Sequence, residues 1–133
     1  MAGLLKSRTL SVSINRDPKT VYEFVSNPAN LPKWAKAFCR TIKQANGEWI
    51  VDTPQGAVKI SFVRKNEFGI LDHLVNPAPG IDIFVPMRVV PNGTGSEIIF
   101  TLFQPPGMSD EKYAEDAGLV EQDLKNLTSV LEG

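Results

Sequence analysis

With 133 residues, 42% of them hydrophobic and 22% charged, the chain has room for one domain with a sizeable core and is not composed like a disordered segment. A formal charge of −1 at pH 7 offers no concentrated positive field, so neither nucleic acid nor an anionic membrane is an expected partner. A single Cys and a single His exclude an internal disulfide and a closed zinc site.

From Arg8 to Asn15, Leu10, Val12 and Ile14 alternate with Ser11 and Ser13, the period of a strand with one buried face. Asp17-Pro18 then supplies a helix start, because an aspartate can accept from a free first-turn amide and proline loses nothing at the first helical position. Val21, Phe24 and Val25 follow at helical spacing until Asn27-Pro28. A second short helix is predicted from about Asn30, with Leu31, Trp34, Ala35 and Phe38 on one face.

Turn signals recur through the middle of the chain at Asn46-Gly47, Pro54-Gln55-Gly56, Pro77-Ala78-Pro79-Gly80 and Asn92-Gly93. Between them lie segments rich in β-branched and aromatic residues: Glu48–Thr53, Gly56–Lys65, Ile70–Val75, Ile81–Val90 and Ser96–Gln104. These read as antiparallel strands joined in a meander. After Gln104-Pro105-Pro106-Gly107, Ser109 caps a helix with Asp110 and Glu111 in its first turn. Tyr113, Ala117, Val120, Leu124, Leu127 and Leu131 form its apolar stripe to about Glu132, roughly 30–35 Å at 1.5 Å per residue.

This order of elements, with Ser11-Val12-Ser13-Ile14, Asp17-Pro18, Val21-Tyr22-Glu23-Phe24-Val25-Ser26-Asn27-Pro28 and Leu31-Pro32-Lys33-Trp34, resembles the START-like (SRPBCC, birch-pollen-allergen-like) superfamily. Within it the polyketide cyclase/dehydrase-like branch is the nearest match, supported by Phe68-Gly69-Ile70-Leu71-Asp72-His73 and Gly95-Ser96-Glu97. The resemblance covers nearly the whole chain, read as one domain over residues 1–133. It implies an α+β helix-grip fold: a curved antiparallel sheet of about seven strands around a long C-terminal helix, with two short helices between strands 1 and 2. It also implies a cavity for a small hydrophobic ligand. It does not imply one reaction, since a fold supplies a site and leaves its chemistry open.

Few residues carry chemistry. Asn92-Gly93-Thr94-Gly95 lacks the Lys-Ser/Thr of a phosphate loop and joins two strands. Cys39 follows an apolar helix face and reads as an inert half-buried thiol. No metal site and no cofactor is expected. His73 and Arg88 remain as hypothetical catalytic residues: a histidine suits proton transfer near neutral pH, and an arginine can hold a carboxylate or enolate in a dry cavity. His73 shares strand parity with Leu71 and Val75, and Arg88 with Phe84. The pocket wall is expected from Phe24, Leu31, Trp34, Phe38, Phe62, Phe84, Met87, Phe100, Tyr113, Ala117 and Val120. Gly118 in the last helix either permits close approach to the sheet, or a bend, or is neutral.

Three functions stay open: binding of a lipid, isoprenoid or aromatic polyketide; a cyclase or dehydratase using His73 or Arg88; or an interaction module with a vestigial pocket. Met1 to Ser7 contains no apolar leader, and no run approaches the ~18 apolar residues needed to span a bilayer. The expectation is therefore cytoplasmic, without integral membrane association. Oligomeric state and ligand identity leave no signal in the sequence.

Overall fold

In the computed structural model, which describes residues 3–133, the alternating N-terminal segment forms strand β1 (Ser7–Ile14). Met1 and Ala2, part of the N-terminal stretch read for a leader, lie outside the described residues. Helix α1 (Pro18–Val25) starts as its residues require: Asp17 accepts the Thr20 amide at 3.1 Å, and Pro18 occupies the first turn. A 3₁₀ turn (Pro28–Asn30) leads into the four-residue helix α2 (Leu31–Trp34). The predicted second helix is thus shorter than expected, and Phe38 is not on it. The chain leaves helical geometry at Ala35 (ψ 52°), and the Ala37 amide donates instead to the Asp123 carboxylate at 2.9 Å.

Strands β2 (Thr41–Ala45), β3 (Glu48–Thr53), β4 (Gly56–Phe62), β5 (His73–Ala78) and β6 (Ile81–Val85) form an antiparallel meander in sequence order. Asn46 and Gly47 both take positive φ, 53° and 78°, as a tight hairpin requires. Strands β7 (Met87–Asn92) and β8 (Gly95–Phe103) join β1 in a three-stranded sheet of order β1-β8-β7.

Eight strands appear where about seven were expected, because the segment read as one strand, Ile81–Val90, breaks at Pro86. Proline has no N–H to give a ladder, which confines it to edges and irregularities. Its carbonyl still accepts the Thr101 amide at 3.0 Å, so β6 passes into β7 beside β8. Two further boundaries differ from the prediction. Strand β4 stops at Phe62 rather than Lys65, and β5 starts at His73 rather than Ile70. Between them Asn66 accepts the amides of Phe68 and Ile70 and donates to the carbonyls of Arg64 and Ile70, an arrangement that competes with a ladder. Gly69, at φ 70°, lies so close to Val89 that a Cβ would run into the Val89 carbonyl.

Helix α3 (Asp110–Glu132) is capped by Ser109, which accepts the Lys112 amide at 3.1 Å. Its stripe lies inward: Tyr113, Ala117, Leu124, Leu127 and Leu131 are buried and Val120 is half-buried. The helix packs along β1 and against α2. Near its start the Tyr113 hydroxyl donates to the Leu102 carbonyl at 2.7 Å. Near its end Arg16 donates to the Leu131 carbonyl and the Asn15 amide to Glu132, both at 2.7 Å. Antiparallel sheet wrapped around a long C-terminal helix is the helix-grip fold. No helix among the described residues is long and apolar enough to cross a membrane.

Candidate functional site

Cross-strand partners share a face, so the registers define what the sheet presents inward. One row runs Trp49–Ile60–Val75–Ile83 across β3 to β6, and a second runs Phe62–His73–Val85. A third, Met87–Phe100–Leu10, crosses the smaller sheet. Ile60, Val85, Met87 and Phe100 are buried, whereas Trp49, Phe62, Val75 and Ile83 remain half-buried. The alternate rows, Ser61–Leu74–Phe84 and Arg88–Ile99–Ser11, face outward.

His73 therefore points inward, as its parity predicted, and is 8% exposed. Its ring lies 4.8 Å from that of Phe62 and 6.2 Å from that of Phe100. Nδ1 is 3.0 Å from the Leu71 carbonyl. A carbonyl only accepts, so Nδ1 carries the proton and Nε2 a lone pair. Burial lowers the pKa, against smaller opposing pulls from the Leu71 carbonyl and the Asp72 charge, which keeps the imidazole neutral.

Two of the expected site residues are elsewhere. Phe84 is 48% exposed on the outer face beside Leu74, so it does not line an interior pocket. Arg88 is also outside, with a guanidinium nitrogen 3.8 Å from the Asp72 carboxylate, which in turn accepts the Met87 amide at 2.8 Å. The break at Pro86 does not reverse facing, because Pro86 keeps its place opposite Thr101 and the alternation continues through it. His73 and Arg88 are not brought together. Of the remaining expected wall residues, Leu31, Trp34, Met87, Phe100, Tyr113 and Ala117 are buried, while Phe24, Phe38, Phe62 and Val120 are half-buried.

Asp123, absent from the expected site, is 6% exposed on α3. Burial pushes its carboxyl up to about 6, against the pull of the Ala37 and Phe38 amides. Its position directly before Leu124 on the flank of the apolar stripe was the only available signal. Cys39 is buried, and burial, with the Asp123 and Asp52 charges, pushes its thiol up to about 11. Such a thiol is a poor nucleophile at neutral pH. No cluster of three or more metal-ligating side chains occurs among the described residues.

Two concavities matter. One of about 310 Å³ opens where β4 outruns the β2–β3 hairpin, between Ser26 and Pro28 and the side chains of Trp49, Ile60 and Phe62. The other, about 630 Å³, is an outer-face groove lined by Ile50, Lys59, Ser61, Leu74, Asp82 and the Asn76–Gly80 turn. Neither is lined by α3. The helix lies along β1.

An inward-facing apolar sheet held around one long helix is the helix-grip architecture, and residues 7–132 match the model of the polyketide cyclase / dehydrase and lipid transport family. The chain belongs to that family, within the START-like superfamily. No curated protein is detectably similar in sequence. Among solved structures, the protein XoxI from Bacillus cereus is similar over 96% of both chains, at 19% identity and a TM-score of 0.77. Ara h 8.0201 is similar over 96% of this chain and 98% of its own, at 14% identity and a TM-score of 0.71. CalU16 from Micromonospora echinospora is similar over 97% of this chain and 76% of its own, at 17% identity and a TM-score of 0.70. At these identities the likeness is one of fold.

Proposed function

We propose that this chain, acting as a single domain, binds a small hydrophobic or amphipathic molecule of lipid, isoprenoid or aromatic polyketide type against the inner face of the β3–β6 sheet. One observation carries the reading: the inward row Trp49–Ile60–Val75–Ile83 is apolar on every strand, yet only Ile60 is closed off from solvent. Apolar side chains directed at the interior are ordinarily covered, and their half-exposure leaves hydrophobic area for a ligand to bury. The opening beside Ser26, Pro28 and Phe62 supplies a route to it. The family's description as polyketide cyclase / dehydrase and lipid transport agrees with such a ligand.

Binding is favoured over turnover because Arg88, the cation expected to hold an enolate beside His73, lies on the outer face. The free, buried thiol of Cys39 agrees with a cytoplasmic, reducing site of action.

The test is native mass spectrometry of freshly purified protein, joined to titration with the fluorescent probe N-phenyl-1-naphthylamine. A co-purified small molecule, or probe fluorescence that Val75→Glu abolishes while the fold is retained, is the expected result. Protein without a bound molecule and without probe binding would sink the proposal.

A further inference from the structure

Phe68 is 78% exposed, more than any other aromatic side chain among the described residues. The loop that carries it, residues 63–69, is nonetheless firmly held. The Asn66 amide donates to the Tyr22 hydroxyl at 2.8 Å, and the Asn66 side-chain oxygen accepts the Phe68 amide at 2.9 Å and the Ile70 amide at 3.1 Å. The Gly69 carbonyl accepts the Val89 amide at 2.9 Å, at a point where no Cβ fits. A loop fixed in this way keeps its aromatic ring in water, and a surface that covered the ring would gain its burial with little ordering left to do.

The loop borders the opening beside β4. Val63 lines that opening, and Arg64 and Lys65 follow it directly. Ser26 and Pro28 also line it, one turn beyond the Tyr22 that anchors Asn66. Charge here differs from that of the whole chain. The stretches that contribute these lining residues, 26–45 and 57–66, hold seven of the 14 Lys and Arg and none of the 15 Asp and Glu. Lys33, Lys36, Arg64 and Lys65 are exposed and belong to none of the ion pairs among the described residues. Glu48, at the opening, is engaged by Lys59 at 3.3 Å, which leaves Glu23 on α1 and Glu67 in the loop as opposing charges.

We infer that this loop docks on an anionic lipid bilayer, with Phe68 inserted at the level of the headgroups and Arg64 and Lys65 against lipid phosphates. An aromatic ring beside cations suits a membrane interface, where the ring leaves water and the charges meet anionic headgroups. A protein partner would need a pocket shaped for one ring, whereas a bilayer needs none. A bilayer is also where an apolar ligand of the inner face dissolves, so the ligand would reach the opening without crossing water. The choice of a lipid surface rests in that respect on the binding reading of the inner face.

The test is co-sedimentation of the full chain with phosphatidylcholine vesicles, with and without about 30% phosphatidylglycerol. Binding is expected to the mixed vesicles and should be at least about tenfold weaker to phosphatidylcholine alone, since two cations act near the charged surface. Phe68→Ser should weaken it by about tenfold or more, and Arg64→Gln with Lys65→Gln should reduce it to the level of phosphatidylcholine. Phe84→Ser, which removes an exposed ring from the outer face, should bind as the wild type does. No sedimentation with either vesicle overturns the inference and turns the search to a protein partner for Phe68. Sedimentation that Phe68→Ser leaves unchanged overturns it as well, because the contact then lies elsewhere. N-phenyl-1-naphthylamine fluorescence, read without vesicles, follows the inner face alone, and Phe68→Ser should keep it. Wild-type protein that sediments but takes up no probe would keep the docking loop and fail the inner-face reading by itself.

Discussion

The inner surface has two regions of the same composition and opposite fate. Over the smaller sheet, α1 packs on β7 and β8 and α3 along β1, and Ile14, Val89, Ile98, Leu124 and Leu127 are all buried. Across β3 to β6, Trp49, Val58, Phe62, Val75 and Ile83 point the same way and stay half-buried. Hydrophobicity is therefore not what separates core from candidate site; the position of the helices α1 and α3 is. Pinned by Tyr113 at one end and by Arg16 and Asn15 at the other, α3 follows β1 and leaves the far sheet partly uncovered.

The largest effect expected from this contrast lies in matched truncations. Leu124→Ala should cost about 2–5 kcal/mol in urea unfolding, as for a closed core leucine that leaves a cavity. Val75→Ala, which removes less side chain from a half-open face, should cost about 1 kcal/mol or less. Comparable losses at the two positions would mean that the far sheet is core after all.

Next in size is a pH effect at the contact between α3 and the turn after α2. The carboxyl of Asp123 is raised from its ordinary 3.8 to about 6 by burial. The fold therefore holds this proton more tightly than the unfolded chain does, and stability from this group is lost as pH rises from about 4 to about 6. His73 has the opposite sign: its pKa is lowered from 6.5, so its contribution is complete above about 6.5 and is lost as pH falls below that. Asp123→Asn keeps an acceptor for the Ala37 amide and removes the buried charge. It should gain about 1–3 kcal/mol at pH 7.5 and leave only the His73 trend, stability rising with pH through this window. Urea midpoints at pH 5 and 7.5 for both proteins check the sign, and a less stable variant at pH 7.5 would contradict it.

Two smaller effects probe surfaces outside the contrast. A Cβ at Gly118 meets nothing within 4 Å, so of the sequence readings for this glycine, close approach to the sheet fails. Gly118→Ala should therefore stabilise the helix by about 0.5–1 kcal/mol, seen as a raised thermal midpoint. Arg88→Ala breaks an exposed pair and should change stability by under about 1 kcal/mol. Binding of N-phenyl-1-naphthylamine should be unchanged; a large loss of affinity would place Arg88 at the ligand.

Period-two and period-3.6 patterns were enough to read β1, the meander and α3, because burial on one face constrains residue type locally. Asp17-Pro18, Asn46-Gly47 and Ser109 were legible for the same reason: each satisfies or relaxes its own backbone within a few residues. His73 could be faced inward by parity alone. Arg88 could not be placed, because whether Pro86 shifts the alternation depends on the hydrogen bond that its carbonyl takes from Thr101 in another strand. The early end of α2 likewise follows from a carboxylate at Asp123, 86 residues beyond the Ala37 amide it captures. The local sequence determined which residues are apolar and how they alternate. Which of them are sealed and which left open was decided only when helices distant in sequence from the strands they cover settled on one part of the sheet, since cover is a property of packing between elements and not of any one of them.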